Sequence, residues 1–176
     1  MDDFVIPAKT MKELEEWTIW FLKIVEKHNL CFKQSKYDFN MEKIPILGVV
    51  VGREQVQMEN NEVKVVKEWK TPTRIKEVES FLEFFNFYRW FIKRFSHTIR
   101  PLNKSKGKKD WKWEEEHQKT FEELKDKITG QLVLIFLKRE GKFWVEKDTS
   151  GHAIGGVLSQ EQKEKWRSIA FLSRTM

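Results

Sequence analysis

Carboxylates beside apolar, strand-like segments are the residues of this chain best suited to metal chemistry. Asp2 and Asp3 directly precede Phe4-Val5-Ile6, and Asp148 follows a second such segment, residues 143–146. Carboxylate oxygens are the hard ligands that Mg²⁺ prefers, and phosphoryl transfer at a metal needs further carboxylates from elsewhere in the fold. From the residues alone, each group has a simpler alternative. The first pair can be a solvated terminus, and Asp148 can be an ordinary turn residue, because Asp-Thr-Ser-Gly favours turns.

The basic side chains are concentrated in the middle third of the chain. Residues 64–112 carry 14 Lys and Arg against 5 Asp and Glu, a net charge of +9, whereas residues 1–63 have a net charge of −3 and residues 113–176 have none. Residues 103–112 hold several lysines around Gly107, which predicts an exposed loop. A basic, aromatic-rich segment favours a polyanionic partner. A solvated lysine-rich surface is the alternative.

Composition excludes several broad classes of protein. The 176 residues include 14 Phe and 8 Trp, too many for an intrinsically disordered chain. No window approaches the ~18 consecutive apolar residues of a membrane span, and the start lacks the pattern of a secretory signal. The single cysteine, Cys31, excludes an internal disulfide and fits a reducing compartment. We therefore expect an intracellular protein, in the cytoplasm or the nucleus, with no membrane partner.

The first sixty residues are predicted to mix one helix with β structure. Phe4-Val5-Ile6 is interpreted as the tail of a strand. Thr10 and Glu13 form a capping-box pattern for an amphipathic helix that ends near Asn29. Residues 30–34 and 44–58 are interpreted as strands, the second as a hairpin that turns at residues 52–54.

The remainder is predicted to be helical and then mostly β. Asn60 or Asn61 begins a helix that ends before Pro72. Thr73 begins another, which Asn86 interrupts, and helical spacing then continues up to Pro101. Residues 114–116 begin a helix that Gly130 ends. Its predicted buried stripe is His117, Phe121, Leu124 and Ile128, and three strands follow at 143–146, 153–158 and 169–172. This order predicts an α+β fold.

Several ordered motifs resemble gypsy-type LTR retrotransposon reverse transcriptases. Met1-Asp2-Asp3-Phe4 is similar to the end of the Tyr-x-Asp-Asp polymerase motif, and Ile46-Leu47-Gly48 is similar to the Phe-Leu-Gly hairpin. Residues 69–73 and 81–92 resemble the Trp-x-x-Pro and Phe-Leu-Gly-x-x-x-Tyr-Tyr-Arg-x-Phe-Ile signatures of the thumb. Further similarities to the connection and to the start of the RNase H domain lie at Arg100-Pro101-Leu102, Lys112-Trp113, residues 121–125, Asp148-Thr149-Ser150, residues 153–160 and residues 170–174.

The resemblance implies a partial palm with a primer-grip-like hairpin at 1–59 and a small all-helical thumb at 60–103. It also implies a basic loop and connection helix at 104–140 and the first strands of an RNase H-like sheet at 141–176. Asp2, Asp3 and Asp148 would be catalytic Mg²⁺ ligands, with both metal cages incomplete in this chain. The implied contacts to an RNA–DNA or DNA primer–template duplex are Leu47, Gly48, Lys76, Arg89, Lys93, Lys104, Lys106, Lys108 and Lys109.

Three positions depart from the pattern of the family. Glu83 replaces the thumb glycine, which would put a carboxylate near phosphates. Lys147 precedes Asp148, where it would put a cation beside a metal ligand, and Ile46 replaces the primer-grip Phe.

We expect a truncated polymerase and RNase H fragment that is catalytically inactive alone and that retains duplex binding. Two alternatives remain open. One is an inert or protein-interaction fragment, with other polyprotein domains as partners. The other is an active polymerase completed by a separate chain that supplies the fingers and the rest of the palm.

Overall fold

The chain divides by its internal contacts into two compact units, Met1–Glu42 and Lys43–Met176. The computed structural model describes residues 4–33, 35, 37–52, 54–105, 111–130 and 133–176. Helices and strands both occur, which confirms the α+β fold class. The division into four segments that the resemblance implies stays a prediction. Among the described residues, no helix is long and apolar enough to cross a membrane.

The first unit contains helix α1, Met11–Lys27, as the capping pattern predicted. The Thr10 side chain accepts a hydrogen bond from the Glu13 backbone N–H at 3.2 Å. The Glu13 carboxylate reaches one residue further back than expected and accepts from the Lys9 backbone N–H at 2.8 Å. Helix α1 ends at Lys27, and Asn29 takes a left-handed backbone with φ of 51°.

The strands predicted for Phe4-Val5-Ile6 and for residues 30–34 were wrong wherever the chain is described. Residues 4–6 and 30–33 are irregular, and Gln34 lies outside the described residues. A strand needs a neighbour for its backbone groups, and the described part of this unit has none. Rings connect these segments instead. Neighbouring members of the series Phe4, Phe21, Phe32, Tyr37 and Phe39 have centroids 5.5, 6.1, 6.4 and 5.8 Å apart.

The second unit begins with an antiparallel sheet in the order β1-β2-β3-β4. Its strands are β1 (Lys43–Ile46), β2 (Val49–Gly52), β3 (Gln55–Met58) and β4 (Val133–Ile135). The predicted hairpin over 44–58 is confirmed, with Val51 opposite Val56. The apolar run that starts at Ile46 is also interrupted by a tighter turn, in which Leu47 and Gly48 have φ of 49° and 77°. Positive φ at both positions is typical of a two-residue type I′ hairpin.

Helices α2 and α3 follow, each with a start that differs slightly from the prediction. Helix α2 spans Asn60–Glu68 with Glu59 at its N-cap, one residue before the predicted asparagines. Helix α3 spans Ile75–Phe87 and begins two residues after Thr73. The Thr73 backbone N–H and hydroxyl both donate to the Glu77 carboxylate, at 2.7 and 3.0 Å. Thr73 therefore organises the chain before the helix rather than forming its first residue.

The carboxyl of Glu77 should titrate near pH 2, a result that NMR of its side-chain carbon can check. Hydrogen bonds from the Thr73 backbone, the Arg74 side chain and the Thr73 hydroxyl lower its pKa from 4.5 to about 2. Because the folded pKa is below the unfolded one, the stabilisation is complete above pH 4.5 and is lost as the pH falls through about 2. Arg74→Gln should raise this pKa. An unshifted titration near pH 4.5 would contradict the geometry.

Helix α3 ends at Phe87, one residue after the predicted interruption at Asn86, and the helical stretch beyond it is divided further. A 3₁₀ turn, Arg89–Phe91, is followed by the short helices α4 (Phe95–Thr98) and α5 (Arg100–Ser105). Ile92 is extended, and Arg94 is left-handed with φ of 59°. The apolar residues at helical spacing are buried as expected, but periodicity reports which side chains face a core and not whether the backbone is continuous.

Helix α6, Glu115–Thr129, matches its prediction closely. Glu114 is the N-cap, and its backbone N–H donates to His117 Nδ1 at 3.0 Å in a reciprocal capping box. The carboxylates of residues 115 and 116 lie in the first turn, where their negative charge interacts favourably with the positive end of the helix dipole. All four side chains of the predicted stripe are buried, and Gly130 is the C-cap.

Aromatic rings join α3 and α6 into one core with the first sheet. The centroid of Phe81 on α3 lies 5.4 Å from Trp69, 4.4 Å from Phe85 and 4.7 Å from Phe121 on α6. The ammonium of Lys125 donates to the Trp69 carbonyl at 3.1 Å and lies over the Phe121 ring. The same core contains the buried side chains Val49, Val56, Met58 and Leu134 of the sheet.

The chain ends in a second antiparallel sheet in the order β5-β6-β7. Its strands, β5 (Phe143–Thr149), β6 (Ala153–Gln162) and β7 (Lys165–Thr175), confirm the three predicted strands and extend each of them. The fully buried Gln160 amide accepts from the Lys138 backbone N–H at 2.9 Å and donates to the Lys138 and Glu140 carbonyls. The segment before β5 is therefore held on the sheet by a satisfied polar side chain.

Candidate nucleic-acid interface

Asp148 lies within strand β5, not in the turn that follows it. Its carboxylate is half exposed and is bound by the Arg94 guanidinium at 2.6 Å. Two residues earlier on the same face, Glu146 is bound by the Lys93 ammonium at 3.1 Å. Gly155 lies opposite Asp148, and an added Cβ there would contact the Arg94 side chain. The adjacent cations Lys93 and Arg94 therefore bind both carboxylates of this strand face.

The residues described around Asp148 do not fit a magnesium site by themselves. In the described part of the chain, no group of three or more His, Cys, Asp or Glu side chains is placed to hold a metal ion. The cation beside Asp148 is Arg94, not Lys147 as expected. Neighbouring side chains of a strand point to opposite faces, so Lys147 lies on the other side of the sheet. Asp2 and Asp3 lie outside the described residues.

The turn at Leu47 and Gly48 is fixed by Tyr88 at the end of α3. The Tyr88 hydroxyl donates to the Gly48 carbonyl at 3.3 Å, and the Glu59 backbone N–H donates to the same oxygen at 2.9 Å. Burial, with added repulsion from the carboxylates of Glu62 and Glu59, raises the pKa of Tyr88 to about 12. The phenol therefore stays protonated and able to donate. The turn holds Leu47 in an exposed position.

Gly48→Ala should lower the free energy of unfolding by about 1–3 kcal/mol, combining left-handed strain with steric overlap. The φ of 77° is unfavourable for a Cβ, and the added atom would overlap the Tyr88 hydroxyl. Tyr88→Phe alone should cost about 0.5–1.5 kcal/mol through its lost hydrogen bond. In the double variant the costs should be less than additive, because the overlap is removed. Urea unfolding of all four proteins tests this coupling, and strictly additive costs would contradict it.

The predicted duplex-binding cations fall into three groups. Lys76, Arg89 and Lys104 are exposed, and no described carboxylate forms an ion pair with any of them. Lys93 is exposed but is paired with Glu146. The remaining three, Lys106, Lys108 and Lys109, lie outside the described residues. Three of the four described cations therefore have no ion-pair partner among the described carboxylates.

The free cations are distributed over the length of the helical segment. Lys76 is in the first turn of α3, and Arg89 follows its end. At 1.5 Å per residue, about 20 Å of helix axis separates these two positions. Lys104 lies on α5. Lys76 and Arg89 are therefore too far apart along the segment to bind the same phosphate.

A polar groove beside Arg89 was not predicted from the sequence. It has a volume of about 330 Å³ and lies between α3, α4, α5 and the end of β7. Its polar walls include Glu83, Asn86, Asn103 and Arg174. Positions 83, 86 and 89 share a helical spacing of three that places them on one face. That signal was available in the sequence, whereas the contribution of β7 was not.

The C-terminal part of the second unit, Lys43–Met176, matches a known family. Residues 113–176 match the family described as the RNase H-like domain found in reverse transcriptase. The whole chain is also 29% identical, over 179 residues, to the Transposon Tf2-3 polyprotein of Schizosaccharomyces pombe. The Transposon Tf2-7 polyprotein of the same organism is 28% identical over the same length. This chain spans 13% of the length of either polyprotein.

Solved structures share the fold. A foamy viral protease-reverse transcriptase in complex with double-stranded DNA superposes with a TM-score of 0.79 at 21% identity, covering 97% of this chain and 30% of that one. The foamy viral enzyme in complex with an RNA/DNA hybrid gives 0.77 at 21% identity, covering 97% and 24%.

Together, these similarities support a retrotransposon reverse transcriptase region, with the RNase H-like match at residues 113–176. The similarity to the Tf2 retrotransposon polyproteins extends over the whole length of this chain.

Proposed function

We propose that this chain binds a nucleic-acid duplex and acts as the primer–template-holding part of a retrotransposon reverse transcriptase. The observation that carries the proposal is the set of free, exposed cations Lys76, Arg89 and Lys104 along one helical segment. The similar foamy viral enzymes have structures in complex with double-stranded DNA and with an RNA/DNA hybrid. Residues 60–103 would act as the thumb, and Lys93, Lys106, Lys108 and Lys109 would add to the same contact.

The turn at Leu47 and Gly48 would contribute a contact of a different kind. Leu47 is exposed at the tip of the turn, and Gly48 is anchored to Tyr88 at the end of α3. The anchor couples the position of the tip to the helical segment that carries Arg89. Ile46, in place of the primer-grip Phe, still packs against the core and so keeps the turn attached.

Divalent metal is a separate part of the proposal. The resemblance assigns Mg²⁺ to Asp2, Asp3 and Asp148, but the Asp148 carboxylate is bound by Arg94. Duplex binding through lysine and arginine needs no metal, because phosphate contacts are electrostatic and independent of sequence. We therefore expect binding to persist when a chelator replaces Mg²⁺. Complete loss of binding with chelator would show that the lysine and arginine contacts alone are not sufficient for binding.

A fluorescence-anisotropy titration of an RNA–DNA hybrid with this chain at low salt tests the proposed function. We expect saturable binding, with little difference between hybrids of unrelated sequence. A noncompeting uncharged polymer of similar size serves as the control for crowding. A flat titration at low salt would overturn the proposal.

A second candidate function, contact with other polyprotein domains, is favoured by one face of the second sheet. Val145 lies opposite Leu158, and Gly156 lies opposite Leu172, so these residues share a face. Val145, Leu172 and Ile154 on that face are exposed. An exposed apolar patch of this kind marks protein contacts or a site of self-association. Light scattering tests this second function, because a protein that stays monomeric at every concentration would count against the apolar face as a contact.

A further inference from the structure

Helix α1, all of which the structure describes, carries apolar side chains on more than one side. Phe21 faces the rings of Phe4 and Phe32, at 5.5 and 6.1 Å between centroids. Trp17 and Trp20 are 46% and 55% exposed, and their rings meet edge to face at 5.6 Å. None of the residues of the helix is buried. A helix with apolar residues on several sides is normally covered on more than one of them, so the two indoles lie open to a partner.

The exposed indoles belong to a stripe that has opposite charges at its two ends. The residues of the stripe recur at alternating spacings of four and three, which places them along one side of the helix. In chain order they are Glu13, Trp17, Trp20, Ile24 and Lys27. An acidic residue begins the stripe, three apolar residues form its middle and a basic residue ends it. Position 20 is the centre, because positions 13 and 27 each lie seven residues from it.

This order is complementary to itself when a second copy of the helix runs in the opposite direction. Trp20 would then face Trp20 of the second copy, at the centre of the pair. Trp17 would face Ile24 of the second copy, and a two-fold axis repeats each contact. The acidic beginning of each stripe would face the basic end of the other.

Two further charges lie along one flank of the stripe. Glu16 and Lys23 occupy equivalent flanking positions one heptad apart, and residues at such positions face each other across an antiparallel pair. No described residue forms an ion pair with Glu16, Lys23 or Lys27. A parallel pair would instead place each of these charges against its own copy. Charge therefore favours the antiparallel direction.

We propose that helix α1 pairs with the same helix of a second copy of this chain, antiparallel, through the stripe from Glu13 to Lys27. The inference goes beyond the proposed duplex binding and does not depend on it. The stripe is about 21 Å long. A tryptophan buries about 150–250 Å² when it is fully covered, so four half-exposed indoles would lose about 300–500 Å². A contact of this size gives a weak dimer that forms only as the protein concentration rises.

Sedimentation equilibrium of the whole chain over a range of concentrations tests the pairing. We expect a monomer–dimer equilibrium for the unsubstituted chain and a monomer throughout for Trp20→Glu, which puts two carboxylates together at the two-fold axis. Leu22→Glu is the matched control. Leu22 is 45% exposed on the same helix, about 200° around the axis from Trp20, so this variant should still dimerise. Circular dichroism should show the same helix content for both variants, because both side chains are exposed.

Reversal of the flanking charges tests the direction of the pair. Glu16→Lys and Lys23→Glu should each raise the dissociation constant about tenfold, because two attractive contacts become repulsive. An equimolar mixture of the two variants should dimerise as the unsubstituted chain does, since each contact again joins a lysine and a glutamate. A parallel pair predicts no weakening by either substitution, because like charges face each other in it already.

Each remaining outcome overturns the proposal at a different step. A chain that stays monomeric at every concentration overturns the pairing and leaves duplex binding, which anisotropy measures separately, untouched. Loss of the dimer in Leu172→Glu but not in Trp20→Glu assigns self-association to the second sheet instead of α1. No effect of either charge reversal, or no recovery in the mixture, overturns the antiparallel arrangement.

Discussion

Phe81→Ala should lower the free energy of unfolding by about 3–5 kcal/mol, the range for deleting a large buried ring. Phe81 has no exposed surface and contacts rings on either side: Trp69 before α3, Phe85 on it and Phe121 on α6. Alanine would leave a cavity among rigid rings, which collapse poorly. The loss should appear as a lower urea midpoint, followed by circular dichroism.

Phe87→Ala is the matched control, because the same residue type lies on the same helix with more than half of its surface exposed. Its cost should stay below about 1 kcal/mol, since an exposed substitution removes little buried area. Equal costs at the two positions would show that α3 does not pack on α6 through Phe81. The helical segment would then lack the rigid support that the interface requires.

Replacing Lys76, Arg89 and Lys104 together with glutamine should weaken hybrid binding by roughly 10²–10³-fold at ~0.1 M salt. Each free cation that contacts a phosphate releases a counterion, so three such contacts multiply their effects. The plot of log affinity against log salt should become shallower by about 2.7. Anisotropy titrations at several salt concentrations measure both quantities.

The control for this variant removes the same charge from another surface. Lys119, Lys165 and Arg167 are exposed, and no described carboxylate forms an ion pair with any of them. Changing these three to glutamine alters the net charge by the same amount. We expect a several-fold loss at most, through the long-range field alone. Equal losses in the two triple variants would show that only net charge matters, and that the helical segment is not the interface.

Local sequence signals were sufficient where the residues that start, stabilise and end an element all lie within it or beside it. Helix α6 has acidic residues at its start, an apolar stripe at helical spacing and a terminal glycine, and it forms as predicted. The cap at Thr10 acts for the same reason, since the bonded groups are only three residues apart. The second sheet was located by its β-branched and aromatic runs, which need only their immediate neighbours along the chain.

Features that depend on distant partners could not be predicted. Strand β4 is short and pairs with β3 from the far side of the helices, so nothing nearby marks it. Gln160 is polar by type yet fully buried, because backbone groups of residues 138 and 140 satisfy its amide. The pairing of Asp148 with Arg94 joins residues 54 positions apart, so nothing near Asp148 in the sequence marks its partner.

The departures from the family pattern acquire different meanings in the structure. Lys147 lies on the face of β5 opposite Asp148, so it does not neutralise that carboxylate. Glu83 lines a groove beside Arg89, where its charge opposes that of the arginine. A charge that departs from the family pattern therefore has little consequence at position 147 and a testable consequence at position 83.

The salt dependence of hybrid binding tests the central claim most directly. If the cations of residues 60–109 contact four to six phosphates, log affinity should fall with log salt at a slope of about −4 to −5. Hybrids of unrelated sequence should give the same slope, because phosphate contacts do not read bases. A slope near zero, or no binding at low salt, would contradict an interface built from these lysines and arginines.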